Sequence, residues 1–313
     1  MELTLLKNKN KKAMVFTLLA IALLSLFLAS YGFYSISKDR KSINRRIETM
    51  NNYIFSIEEN LPRQLFISGF RMIFLSTKKV IDTGNYITNI NSTFQELFYN
   101  GTINNEQQDL MIGVTFSGIT EAINDKAREI NINVSLTNPN LIIIQDDPWN
   151  VKITLKTDIM IMDSSNLAVW NRSLTTSSYI PITSFEDPLY IINSNGLLNK
   201  KYNKTIHATF VQGADVSNLL DHTEKTYYIN SSLAPSFLDR LEGKISSNVN
   251  GIESLVYLPD LSTQGIELKS KSVVDYIYFS NSNPASYQIQ GMPSWFRIDD
   301  SHLDIYSVRN LTV

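Results

Sequence analysis

The sequence predicts an α+β protein: an N-terminal transmembrane helix continuing into a helical stalk, then helices packed on an antiparallel β-rich ectodomain. Three observations predict it. Residues 13–36 are an uncharged apolar run, apolar positions from Ile43 to Ile130 recur at helical spacing, and from Asn131 the period drops to two between turn residues. The 313 residues thus divide into a basic leader (1–12), a span (13–36), a helical stalk or bundle (37–130) and an ectodomain (131–313), with room for a sub-boundary near 211–230.

Composition narrows the function classes. A formal net charge of −2 and a pI near 6.0 provide no broad basic field, so nucleic acid is not the expected partner. The absence of cysteine removes disulfides, thiol nucleophiles and thiolate zinc sites. With 43% hydrophobic residues, the part after the span can bury a core without such staples.

The span, Ala13 to Ile36, has 24 residues, and a helix of that length reaches roughly 36 Å against a hydrocarbon core of about 30 Å. The expected partner of this run is the lipid membrane. A secretory signal has an apolar core of roughly 7–15 residues before its cut site, so this longer run is read as retained. Lys7, Lys9, Lys11 and Lys12 precede it and Lys38, Arg40, Lys41, Arg45 and Arg46 follow it, so the positive-inside count leaves orientation open. The short leader and the sequons at Asn91, Asn100, Asn133, Asn171, Asn203, Asn230 and Asn310 favour a cell membrane with the C-terminal bulk outside.

Lys11-Lys12-Ala13 followed by Met14-Val15-Phe16-Thr17-Leu18-Leu19-Ala20-Ile21 resembles the N-terminus of archaeal type IV pilin-like proteins. The resemblance covers about the first 35 residues. It implies leader removal between Ala13 and Met14 by a prepilin-type peptidase, and an exterior C-terminal domain. Pilins that polymerise usually carry a Glu early in the mature helix, whereas this chain has Leu18, Leu19 and Ala20 there. The segment is therefore read as an anchor before a filament core. The phrases at 185–190 and 251–256 resemble archaeal membrane-anchored surface proteins, which implies location and not chemistry.

Beyond the span, Ile43, Ile47, Met50, Ile54, Ile57 and Leu61 step by four and three, a heptad seam that either pairs two copies or docks on its own domain. Pro62, with Asn60 as N-cap, predicts a new helix through the apolar stretch 65–75. Ile87, Ile90, Phe94, Leu97 and Phe98 predict a helix stopped by Asn100-Gly101. A further helix is predicted over 104–130, with Ile112, Phe116, Ile119, Ile123, Ala127 and Ile130 on one face. Alternation then predicts strands at 132–136, 141–144, 151–155 and 159–161, with turns at 146–150 and 163–166 and another strand at 167–170. This meander needs a cover, and the helix ending at Ile130 is the neighbour in sequence. Further strands are predicted at 206–210, 273–279, 287–289, 295–298 and 303–305, and short helices at 217–222 and 236–246.

Chemistry is thinly signalled. In a strand, Asp300, His302 and Asp304 would share one face, and two carboxylates with an imidazole can hold a divalent metal; the polar solvent face of an amphipathic strand is the competing reading. Asp146-Asp147-Pro148 and Glu186-Asp187-Pro188 read as turn openers, because adjacent carboxylates on extended chain point apart. No nucleophile elbow, Walker loop, dinucleotide fingerprint or H-E-x-x-H occurs, so no catalytic residue and no cofactor is assigned and a tethered hydrolase is the minority reading. Tyr276, Tyr278, Phe279, Tyr287, Trp295, Phe296 and Tyr306 read chiefly as core, with a sugar-binding platform as the alternative. The expected function is a single-pass, pilin-like surface protein with a structural or adhesive ectodomain; the alternative is a ligand-binding ectodomain, glycans first, with no filament role. The ligand is not specified by the sequence.

Overall fold

The computed structural model describes residues 2–183 and 185–313, with side chains from Met14 onward except Asp39. The side chains of the basic leader and of Ala13, and with them half of the expected cleavage junction, lie outside the described residues. The chain forms two compact units. One comprises the chain up to Ile57 with Asn124–Ser135 and Ile159–Arg172; the other comprises Glu58–Ile123, Leu136–Asp158 and Ser173–Val313. Residues 173–313 fall in one unit.

The first element, α1 (Glu2–Thr83), is a single helix of 82 residues, so Pro62 does not start a new one. A mid-helix proline removes one backbone bond and costs about 3 kcal/mol. Here Leu61 and Leu65 beside it are completely buried, and packing of that face outweighs the lost bond. The seam is likewise covered by its own chain over Met50, Ile54, Ile57 and Leu61, leaving only Ile43 and Ile47 open to any second copy.

In the second unit, α2 (Ile90–Asn100) buries Ile90, Phe94, Leu97 and Phe98. Asn89 caps its start through Ser92 N–H, and Gly101 ends it at φ 72°, in the left-handed region that glycine occupies without strain. The helix expected from 104 begins only at α3 (Phe116–Glu129). Before it, Asn104 and Asn105 both adopt positive φ and close a tight hairpin of β1 (Thr102–Ile103) and β2 (Glu106–Gln107). Glu96 fastens this hairpin by accepting bonds from Thr102 Oγ1 (2.8 Å) and Asn105 N–H (2.7 Å). Ile112 therefore falls outside the helix and is 67% exposed.

The main sheet has three strands in the order β3 (Ile132–Asp147), β4 (Asn150–Asp163), β5 (Val169–Pro181). The short predicted strands are fused. Asn138 takes φ 51° and shifts the alternation without breaking β3, and its amide holds Asp158 of β4 at 2.9 Å. The first hairpin turns where expected, with Asp147 accepting from Trp149 N–H at 2.7 Å. In this unit the cover over β4 and β5 comes from α1. A Cβ on Gly69 would lie 2.3 Å from Ile153 Cδ1 and 2.8 Å from Ile180 Cδ1. Gly69→Ala is therefore expected to cost about 1–3 kcal/mol through overpacking, read as a lower urea midpoint at unchanged slope.

The rest of the second unit is built from short pieces: α4 (Pro188–Asn193), α5 (Ser217–Glu224), β6 (Tyr228–Asn230), α6 (Phe237–Leu241), β7 (Ile252–Ser254), α7 (Leu258–Thr263), α8 (Asp275–Tyr278), β8 (Ser286–Gln288) and β9 (Arg297–Asp299). β6 pairs with β7 and β8 with β9, both antiparallel. The strand expected at 273–279 is instead one bridge at Val274 followed by α8, and 206–210 and 303–305 form no strand. Val273 through Tyr278 are all buried, so alternation there reflects burial on every side and not a sheet with a wet face.

Candidate functional site

Asp187, Arg240 and Asp275 are all completely buried, and they meet in the second unit. Asp187 is the N-cap of α4, with Pro188 in the first helical position and Leu189 N–H donating to it at 2.9 Å. Arg240 lies in α6, which Ser236 and Asp239 start with a reciprocal capping box. Its guanidinium donates to Asp187 Oδ2 (2.7 Å), to both oxygens of Asp275 (3.0 and 3.2 Å) and to Ile252 O. Tyr228 adds a bond to Asp187 at 2.8 Å, and Ser254 donates to Asp275 through both N–H and Oγ. Burial pushes the Asp187 carboxyl up from its ordinary range against the pull of Arg240, whereas Arg240 is held charged by the two aspartates.

The residue before Ser254 leads to a second cluster. Glu253 Oε2 lies 3.3 Å from His302 Nε2, which also meets Tyr276 Oη at 3.0 Å, while His302 Nδ1 donates to Asp299 at 2.7 Å. Ser272 donates to the other Asp299 oxygen at 2.7 Å. Burial disfavours the imidazolium, but Asp299 and Glu253 outweigh it and raise the His302 pKa to about 9. Both ring nitrogens then carry protons at neutral pH.

This corrects the arrangement expected of Asp300, His302 and Asp304. Residues 300–302 form a 3₁₀ turn, not a strand. His302 consequently points inward, while Asp300 and Asp304 stay at the surface and share Arg309, at 3.0 and 2.7 Å. Among the described residues, no group of three or more His, Asp or Glu side chains is arranged to hold a metal ion. Of the late aromatics, Tyr276, Tyr278, Phe296 and Tyr306 are buried, whereas Tyr287 is exposed and Phe279 and Trp295 are half-buried.

The two clusters together set two cations against four carboxylates, sealed from solvent. Such an arrangement has the ionic groups of a catalytic site but no access for a substrate, so it acts as an internal lock. An open cleft lies elsewhere: it has about 680 Å³, sits in the second unit, and is lined by Phe74, Leu75, Ile103 and Leu110 with Lys79 and the Lys78–Asp82 pair. Its size suits a small ligand, although it carries no aligned acid–base pair.

No protein-family model, curated protein or solved structure matches this chain. Its function must therefore be argued from its own residues. The feature of greatest consequence is the apolar part of α1. Among the described residues it is the one helix long and apolar enough to cross a membrane, with a mean hydropathy of 2.3 in its most apolar window. Phe16, Leu19, Leu23, Phe27 and Phe33 all stay exposed, so no described residue covers this surface. The pairing within the buried ionic clusters had no local signature, because Asp187 and Asp275 share a cation from 88 positions apart and Glu253 meets His302 from 49; Asp187 was visible only as a turn opener and His302 only as a surface ligand.

Proposed function

We propose that this is a single-pass membrane protein, held by residues 14–36, whose C-terminal bulk lies outside the cell and makes structural or adhesive contacts. One observation carries the reading: a run of large apolar side chains on α1 is left uncovered by the fold over a length matching a bilayer. The pilin-like leader remains part of the proposal, as a route of processing. A ligand-binding domain on the same anchor is the second reading, favoured by the 680 Å³ cleft beside Lys79 and Asp82.

The lack of native cysteine makes the test clean. In intact cells, Ser282→Cys, at an exposed site, is expected to react with a membrane-impermeant maleimide. Labelling only after lysis would invert the proposed topology, and recovery of the native chain in the soluble fraction would remove the anchor. N-terminal sequencing of native protein adds the processing result: a start at Met14 supports leader removal, and a start at Met1 rejects it.

A further inference from the structure

We propose that the β4–β5 hairpin end of the first unit is a second membrane contact, resting on the outer leaflet of the bilayer that α1 crosses; this rests on the anchor reading above. Beside α1, Asp163 at the end of β4 pairs with Arg46 at 3.4 Å, and Arg46 also donates to Ile130 O at 3.2 Å. This fixes the hairpin end at the level of residues 46–51 of the helix. Past that contact the turn presents Leu167, Val169 and Trp170, which are 50%, 57% and 41% exposed. Val169, Trp170 and Ala168 also line an apolar groove of about 330 Å³ with Ile47, Met50 and Asn51.

Three physical arguments select lipid as the occupant. Ile36 to Ile47 is eleven residues, about 16 Å of helix; a headgroup layer of about 5–8 Å takes up part of that distance, and a tilt of α1 toward the hairpin side of about 40°, the upper end of the usual range, brings the hairpin beside it down by the rest. The intervening turns carry Lys38, Lys41 and Arg45 at steps of three and four, an exposed basic face suited to anionic headgroups. The tip has the composition of an interfacial anchor: two aliphatics, a tryptophan, and the Arg172 guanidinium 5.4 Å over the Trp170 ring. A solvated hairpin turn has no need of three large apolar side chains within four residues.

The test uses the full chain reconstituted in nanodiscs of phosphatidylcholine with phosphatidylglycerol, with Leu167→Cys carrying an environment-sensitive fluorophore and Ser282→Cys as control. With headgroup spin-labelled lipid the probe at position 167 is expected to lose roughly half its emission and the control almost none, because an interfacial group sits within about 5–10 Å of the headgroup boundary. Replacing Lys38, Lys41 and Arg45 with Gln, or omitting phosphatidylglycerol, is expected to reduce that quenching. Equal, weak quenching at both positions in discs that retain the protein would overturn the proposal. So would quenching only in discs loaded with two chains, since a second copy would then cover the tip. If the chain does not enter discs at all, the anchor reading itself fails and takes this one with it.

Discussion

Arg240→Met is expected to lower the unfolding free energy by about 3–5 kcal/mol, the usual cost of removing one partner from a buried ion pair. The reason lies in what remains. Asp187 and Asp275 are fully buried and would lose their shared cation, and Ile252 O would lose a donor. For a domain of this size that loss corresponds to a melting temperature lower by roughly 6–20 °C. Arg240→Lys should recover little, because a single ammonium cannot meet Asp187, both Asp275 oxygens and a carbonyl in the geometry the planar fork achieves. The triple variant Arg240→Met, Asp187→Asn, Asp275→Asn removes the uncompensated charge and is expected to be more stable than Arg240→Met alone. Thermal and urea unfolding followed by circular dichroism would decide it. An Arg240→Met protein within about 1 kcal/mol of wild type would show that the cluster is not the lock its burial implies.

Stability is expected to peak near pH 6.5 and to fall by up to about 3 kcal/mol as pH rises from there through about 9. The alkaline limb belongs to His302. Its folded pKa, about 9, exceeds its unfolded value of 6.5, so its contribution is complete below 6.5 and is lost as the proton leaves. Loss of that proton leaves Glu253 and Asp299 facing a neutral ring beside Tyr276. The acid limb belongs to His222, a buried imidazole packed on Phe210 and Tyr306 whose pKa burial lowers to about 3, with His207 acting in the same direction. Between pH 6.5 and 3 the unfolded chain binds this proton and the folded one does not, so stability declines on acidification. His302→Gln should flatten the alkaline limb and leave the acid limb in place. A urea midpoint that stays constant from pH 6.5 to 9 in wild type would refute the assignment.

The parts of the fold that local rules govern were legible in the sequence. Gly101 after Asn100 stops α2 because that position needs a left-handed conformation, and Asp147-Pro148 turns β3 into β4 through a side-chain bond to the next backbone N–H. Two of the failures have tertiary causes. Pro62 reads as a helix start until the burial of Leu61 and Leu65 is known, and the stretch 273–279 reads as a strand because residues buried on every side imitate alternation. His302 reads as a surface ligand because a strand period was carried into a 3₁₀ turn. The ionic clusters were hidden for a plainer reason. A charge is scored as solvated in any sequence window, and only distant partners reverse that assignment.

Those distances also bear on biosynthesis. The lock draws on positions 187, 240, 253, 275, 299 and 302, so Asp187 must wait for Arg240 and Glu253 and Asp299 for His302, while Asp275 meets an Arg240 already made. Contacts this distant form late in folding, after much chain entropy has been lost. With the topology proposed above, the interior charges would reach the far side of the membrane still hydrated, and the second unit cannot close until its last residues have followed. Closure of the second unit is in this way ordered in time by where the charges sit along the chain.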